Sequence, residues 1–292
     1  MHASTPSTTD RASFPDRLGG PANATPQPAP SAPFADPLLA YVAVAYGFTW
    51  LVMQALHLEP LAAFGPTLAA LLVIVGWRAR HAAAPGSVDD LAEWRASLVR
   101  WPATRTGRWL TFGAPFGFLA VALLAVAAAP GDFDWSRLAN GPLATPTGLF
   151  ELLVFGSLLQ ALGEEPGWRG WFLPKLRERL GACAATLVLF PVWLLWHLPM
   201  FLARPEFGLP QFAGFALGIL SAAVWMTAIY EHTKSALAAI AFHLLINATR
   251  GVALAISTPA FLSYGMAVTL GAIAIAVVAW RRRPERGRDA AA

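Results

Sequence analysis

Three short patterns in this chain carry groups that can do chemistry: Glu164-Glu165-Pro166-Gly167-Trp168-Arg169, Trp193-Leu194-Leu195-Trp196-His197 and His243-Leu244-Leu245-Ile246-Asn247. Each sits within or beside a run of apolar residues. An ionisable side chain at membrane depth costs about 2.5–3.5 kcal/mol on insertion scales, so such residues are functional candidates by default. Together they supply what amide hydrolysis needs. Glu164 can take a proton from water while His197 holds the same water, giving a hydroxide-like nucleophile by general-base catalysis. His243 and Asn247 can donate hydrogen bonds to the oxyanion that forms when water adds to a peptide carbonyl. No covalent intermediate is required. The same residues also permit a zinc version, with Glu164, His197 and His243 as ligands and water in the fourth position. The zinc-protease helix pattern H-E-x-x-H is absent from the chain.

Helical spacing assigns partners. His243 and Asn247 are four apart and project from one face of a helix, and Glu165 stands in the same relation to Arg169. Glu164, one residue earlier, points about 100° away at 3.6 residues per turn. Glu165 and Arg169 are therefore expected to pair as structural support, leaving Glu164 for chemistry. Other protease chemistries fit poorly. No span holds a Gly-x-Ser triplet for a serine nucleophile, and every Asp falls in a tail or loop rather than in an aspartyl dyad.

The elements that must position these groups are membrane helices. Of 292 residues, 56% are hydrophobic and only 13% charged, against about 25% charged in an average soluble domain. This balance excludes a soluble globular enzyme, a disordered chain and a nucleic-acid module, and predicts an all-α polytopic membrane bundle in contact with the lipid bilayer. With about 17–25 mostly apolar residues per span, eight candidates fit: 38–57, 61–77, 109–129, 148–174, 184–200, 211–231, 234–250 and 263–280. Arginine placement supports the count. With both termini in the cytoplasm, 18 of the 21 basic residues fall on the inner side, leaving Arg137, Arg204 and Arg250 outside, as the positive-inside rule expects. The lone Cys183 forms no intramolecular disulfide. Nineteen arginines against two lysines, in an Ala-rich chain, hint at a GC-rich bacterial genome, and a multi-pass protein of the bacterial plasma membrane is expected.

Residues 1–36, with seven prolines among Ser, Thr and Ala, are expected to be a disordered tail. The transmembrane domain then covers 37–281, and 282–292 form a basic cytoplasmic tail. Between the second and third spans, Ser87 with Asp90 resembles an N-cap pair, and Val88, Leu91, Trp94, Leu98 and Trp101 recur at helical spacing. A short interfacial helix, its arginines toward lipid headgroups, is expected there. Pro166 frees the Leu162 carbonyl and predicts a local kink, while Gly167 and Gly170 allow close helix contact.

The set EExxxR at 164–169, aromatic-xxx-His at 193–197 and HxxxN at 243–247 resembles the CAAX prenyl protease type 2 and bacteriocin-processing family, abbreviated CPBP or Abi. The likeness covers a core of about 148–250. Trp193 stands where that family usually has Phe, a conservative change expected to leave the reacting groups untouched. The resemblance implies an intramembrane endopeptidase, often labelled a metalloprotease, acting on a membrane-associated peptide or protein. Its members include eukaryotic enzymes that remove the last three residues of prenylated proteins, and bacterial relatives linked to bacteriocin maturation and self-immunity. Carried over by motif, Glu164 activates water with His197 as its partner, and His243 and Asn247 stabilise the oxyanion. Glu165, Arg169 and Trp193 support them. Zinc stays open as a cofactor. The alternative is a non-catalytic immunity factor or scaffold on the same fold, whose polar residues serve only helix-to-helix contacts.

Overall fold

The structure is a computed structural model, and residues 36–80, 90–128, 135–204 and 207–281 are described. The described elements, all helical, are α1 (Pro37–Gln54), α2 (Glu59–Ala62), α3 (Gly65–Arg80), α4 (Asp90–Val99), α5 (Arg105–Ala128), α6 (Trp135–Asn140), α7 (Pro146–Arg179), α8 (Ala182–Trp196), α9 (Leu198–Leu202), α10 (Leu209–Thr233), α11 (Ala236–Ile256) and α12 (Thr258–Arg281). The protein is an all-α, multi-pass membrane bundle. Apart from Asp36, both tails lie outside the described residues, as does Ser87.

Seven apolar helices among the described residues are long enough to span a bilayer, one fewer than the eight expected. The remaining candidate, 61–77, is instead the shorter apolar segment Pro60–Gly76. The chain turns between α2 and α3, and Pro66 in the first turn of α3 has no N–H with which to continue a helix backward. Thr49 of α1 fixes that turn by donating to the Ala62 carbonyl at 2.7 Å.

Local signals start the long helices. The Asp36 carboxylate accepts from Leu38 N ahead of α1, Thr145 Oγ1 from Gly148 N ahead of α7, and Ser235 Oγ from Ala238 N ahead of α11. Each cap satisfies one of the amides a helix leaves unpaired at its start. Where helices cross, the side chains are small: Ala69, Ala70, Ala122, Ala223, Ala239 and Ala253 are fully buried, which lets backbones approach as membrane bundles require. Leu72, Leu124, Leu254 and Leu270 point outward and are each more than half exposed, the arrangement suited to lipid as solvent.

The ion pairs gather at one end of the bundle. Arg179 pairs with Asp36 at 2.7 Å, Lys175 with Asp90 at 2.9 Å, Arg177 with Glu231 at 2.6 Å and Arg100 with Glu93 at 3.1 Å. The Arg179 guanidinium holds the Asp36 carboxyl below the usual carboxylate range. Charged residues from four separate segments, at Asp36, at Asp90 to Arg100, at Lys175 to Arg179 and at Glu231, thus meet one another there.

α4 forms as expected, but only part of it faces outward. Trp94 is buried and donates from its indole to the Pro166 carbonyl at 2.8 Å, whereas Arg95 is exposed. α4 is therefore pinned to α7 by an aromatic hydrogen bond.

α7 occupies the centre, packed between α3 and α11, and it brings the first motif against the third.

Candidate active site

The helix that carries Glu164 and Glu165 is irregular for a reason written in its sequence. Pro166 lacks the N–H that would bond the Leu162 carbonyl. Thr67 of α3 serves this stretch, donating to Gly163 O at 2.7 Å and reaching Leu162 O at 3.4 Å. α7 is wound as π-helix over Glu151–Leu158 and Trp168–Phe172, and such turns recur at functional sites. Close approach needs glycine at two places. A Cβ at Gly163 would lie 2.6 Å from the Ala63 carbonyl, and one at Gly167 would lie 2.3 Å from the Pro66 carbonyl carbon. Gly170 meets Trp94 at 3.1 Å in the same sense. Gly163 and Thr67 are invisible in the motifs, since their importance lies in what α3 places opposite them.

Glu165 and Arg169 pair along the helix as expected, with Arg169 Nη1 at 3.0 Å from both carboxylate oxygens and both side chains fully buried. The pair also has an unanticipated third member. His243 Nδ1 stands 2.7 Å from Glu165 Oε1, so Glu165 orients the imidazole of α11 across the helix interface. Arg169 lies over the Trp193 ring at 4.2 Å from its centroid, a stacking that planar guanidinium groups favour. Two other Arg169 nitrogens, Nε and Nη2, have no protein hydrogen-bond partner among the described residues, and neither has the Tyr41 hydroxyl. The Tyr41 ring packs against Trp168, Trp171 and Phe172 around the π-turn.

Glu164 is nearly fully buried and does not take part in that pair. Its Oε2 accepts from Trp193 Nε1 at 2.8 Å. This corrects the expectation that Trp193 leaves the reacting groups untouched: the indole N–H, which Phe lacks, touches Glu164 directly. His197 closes α8, where the backbone breaks before Pro199 in α9. Its Nδ1 is 2.8 Å from the Trp193 carbonyl, so Trp193 contacts Glu164 through its side chain and His197 through its backbone. α1 steadies this break from outside, Tyr46 donating to Val192 O and Gln54 to Pro199 O. Asn247, half-buried, stands one turn beyond His243 on α11 and makes no side-chain hydrogen bond among the described residues.

Metal-binding geometry differs from the zinc set read from the motifs. The three residues whose ligand atoms lie within 4.8 Å of one another are Glu164, Glu165 and His243; His197 is not in the group. Both Glu165 oxygens face the Arg169 guanidinium, and Oε1 also meets His243 Nδ1. That leaves Glu164 and the far nitrogen of His243 as unencumbered donors. A catalytic zinc keeps three protein ligands, so the residues do not fit that ion. Glu165 behaves as the orienting carboxylate behind the imidazole.

Residues 146–249 match the family described as type II CAAX prenyl endopeptidase Rce1-like. All three motifs lie inside this segment. A CAAX prenyl protease 2 of Methanococcus maripaludis is 32% identical over 108 residues, covering 34% of this chain and 39% of the relative. The chain thus spans about two-fifths of the length of the curated relative it matches. The resemblance to the CAAX prenyl protease family stands over the helices that hold the site.

Proposed function

We propose that this protein is an intramembrane endopeptidase of the CAAX protease type, hydrolysing a peptide bond in a membrane-associated peptide or protein of a bacterial plasma membrane. One observation carries the reading: Glu164 and His243, from two different helices, are buried with ligand atoms within 4.8 Å of each other. Trp193 ties the third helix to them by bonding both Glu164 and His197. A buried acid and two imidazoles cost too much in a membrane bundle to be packing alone. The name of the methanococcal relative supports the same class.

In this reading Glu164 Oε1, left free by the Trp193 bond to Oε2, accepts a proton from water. His197 steadies the water through its far ring nitrogen. The water oxygen bonds to the scissile carbonyl carbon, and the carbonyl oxygen becomes an oxyanion. Asn247 donates to it from the carboxamide, and His243 donates from Nε2 when both ring nitrogens carry protons beside the Glu165 carboxylate. The carbon–nitrogen bond then breaks, and the proton held by Glu164 passes to the leaving amine.

The test compares peptide termini in membranes of cells carrying the wild type or Glu164→Ala. Termini present with the wild type and missing with the variant are expected. An identical set of termini in both would overturn the reading.

A further inference from the structure

Between α5 and α12 runs a groove of about 380 Å³. Its walls are apolar: Trp109, Ala114, Gly117 and Val121 from α5, and Ala267 and Leu270 from α12. Ala114 is buried at the floor, whereas Trp109, Val121 and Leu270 stand exposed at the rim. Gly117 gives the groove its depth. A Cβ there would meet nothing within 4 Å, so helix packing does not demand glycine at this position. The absence of a side chain instead opens a slot toward the surroundings.

The slot has a length and a direction. From Trp109 to Val121 it follows about twelve residues of helix, roughly 18 Å at about 1.5 Å each. That is close to half of a hydrocarbon core about 30 Å thick, the depth of one leaflet. The Trp109 end belongs to the ion-paired end of the bundle. A Cβ on Gly107 would lie 2.7 Å from Thr233 Cγ2, and Thr233 closes α10 just after the Glu231 that pairs with Arg177.

Two cations stand at that end. Arg105 and Arg108 occupy the first turn of α5, and both are exposed. Arg105 shares a helix face with Trp109, four residues on. Neither arginine has an ion pair among the described residues. The Arg108 guanidinium donates to the Ala103 carbonyl at 2.7 Å, and the Arg105 side chain has no hydrogen bond among the described residues. Positive side chains in a first turn oppose the helix dipole, so these two do not serve α5 itself.

We infer that this groove seats one phospholipid with an anionic headgroup, its phosphate at Arg105 and Arg108 and one acyl chain lying along Gly117. Guanidinium groups match phosphate with paired hydrogen bonds, and Trp109 sits where interfacial tryptophans anchor at headgroup level. Bulk lipid covers any apolar helix. A groove one leaflet deep, with two cations free of carboxylate partners at its mouth, selects a particular lipid. This seat shares no residue with the Glu164 and His243 site and does not depend on the protease reading.

The experiment reconstitutes the full chain in nanodiscs of equal parts phosphatidylcholine and phosphatidylglycerol with matched acyl chains. The protein is then moved to detergent, and retained lipid is read by native mass spectrometry. The wild type should keep a single phosphatidylglycerol per chain, enriched over phosphatidylcholine on the order of ten-fold. Arg105→Gln combined with Arg108→Gln should bring that ratio close to one. Gly117→Leu fills the slot and Val121→Trp closes its far end, so each should remove the retained lipid with helical content unchanged. Should Gly117→Leu disturb the fold, Val121→Trp decides.

Equal retention of the two lipids by the wild type would overturn the inference. So would enrichment that depends on the two arginines yet survives both groove variants, since that makes the guanidinium groups a surface attraction without a seat. A wild type that keeps no lipid would overturn it as well. If such a protein runs as a dimer that Gly117→Leu breaks, the groove belongs to a second copy of the chain.

Discussion

Trp193 Nε1 lies 2.8 Å from Glu164 Oε2, and the carbonyl of the same tryptophan lies 2.8 Å from His197 Nδ1. One residue thus fixes the positions of an acid on α7 and an imidazole at the end of α8. Phe at this position would keep the ring beneath Arg169 but leave Glu164 without its neutral donor. A hydrogen bond to a charged group contributes about 1.5–3 kcal/mol, and each 1.36 kcal/mol of barrier is a factor of ten in rate. Trp193→Phe should therefore fold and lose on the order of ten-fold or more in kcat, read as turnover of an identified peptide. Trp193→Ala should lose more and also lower Tm, because the surface under the guanidinium is gone.

The buried Glu165–Arg169 pair makes a stability prediction. Removing one member leaves an uncompensated charge in a site with no exposure, a loss of about 3–5 kcal/mol. Arg169→Met should lower the thermal unfolding midpoint sharply in detergent. Adding Glu165→Gln should recover part of the loss, because the stranded carboxylate is then gone. A double variant less stable than the single one by a further full increment would contradict the pairing.

How far the sequence reaches is clearest at these residues. The i,i+4 spacing of Glu165 and Arg169 was enough to read their pair, because both lie on one helix. His243 joining Glu165 was not legible, since 78 residues separate them and the rotation of one apolar helix against another leaves no periodic trace when lipid surrounds both. The same holds for Thr67 under Pro166: the proline announces a freed carbonyl, but only packing names the donor. The short segment Pro60–Gly76 differs from the expected span because hydropathy registers apolar content, not the turn that Pro66 enforces. The three motifs and the all-α membrane class were legible from residue type alone, since ionisable groups in apolar runs stand out without any knowledge of packing.

Close packing of α7 on α3 should be sensitive at a single hydrogen. Gly167→Ala puts a Cβ 2.3 Å from the Pro66 carbonyl carbon, which is backbone and cannot swing aside. Overpacking of this kind costs about 1–3 kcal/mol. The variant should unfold at lower temperature and lose activity, since the helix it displaces carries Glu164. Gly47→Ala, where a Cβ meets nothing within 4 Å, is the control expected to change neither.

The donor set makes a prediction about metal. With Glu165 held by Arg169 and His243, elemental analysis of purified protein should find well under one zinc per chain, and chelation should leave turnover unchanged. About one zinc per chain, lost together with activity, would show that Glu165 releases its partners to serve as a ligand.

The central claim is that Glu164 activates the attacking water. The direct measurement is kcat for purified wild type and Glu164→Gln on the same peptide, with His197→Ala beside them. General-base catalysis contributes about 10²–10⁴-fold, so the account predicts losses of at least a hundred-fold in Glu164→Gln, with Tm close to wild type. Turnover within a few-fold of wild type in a folded Glu164→Gln protein would contradict it.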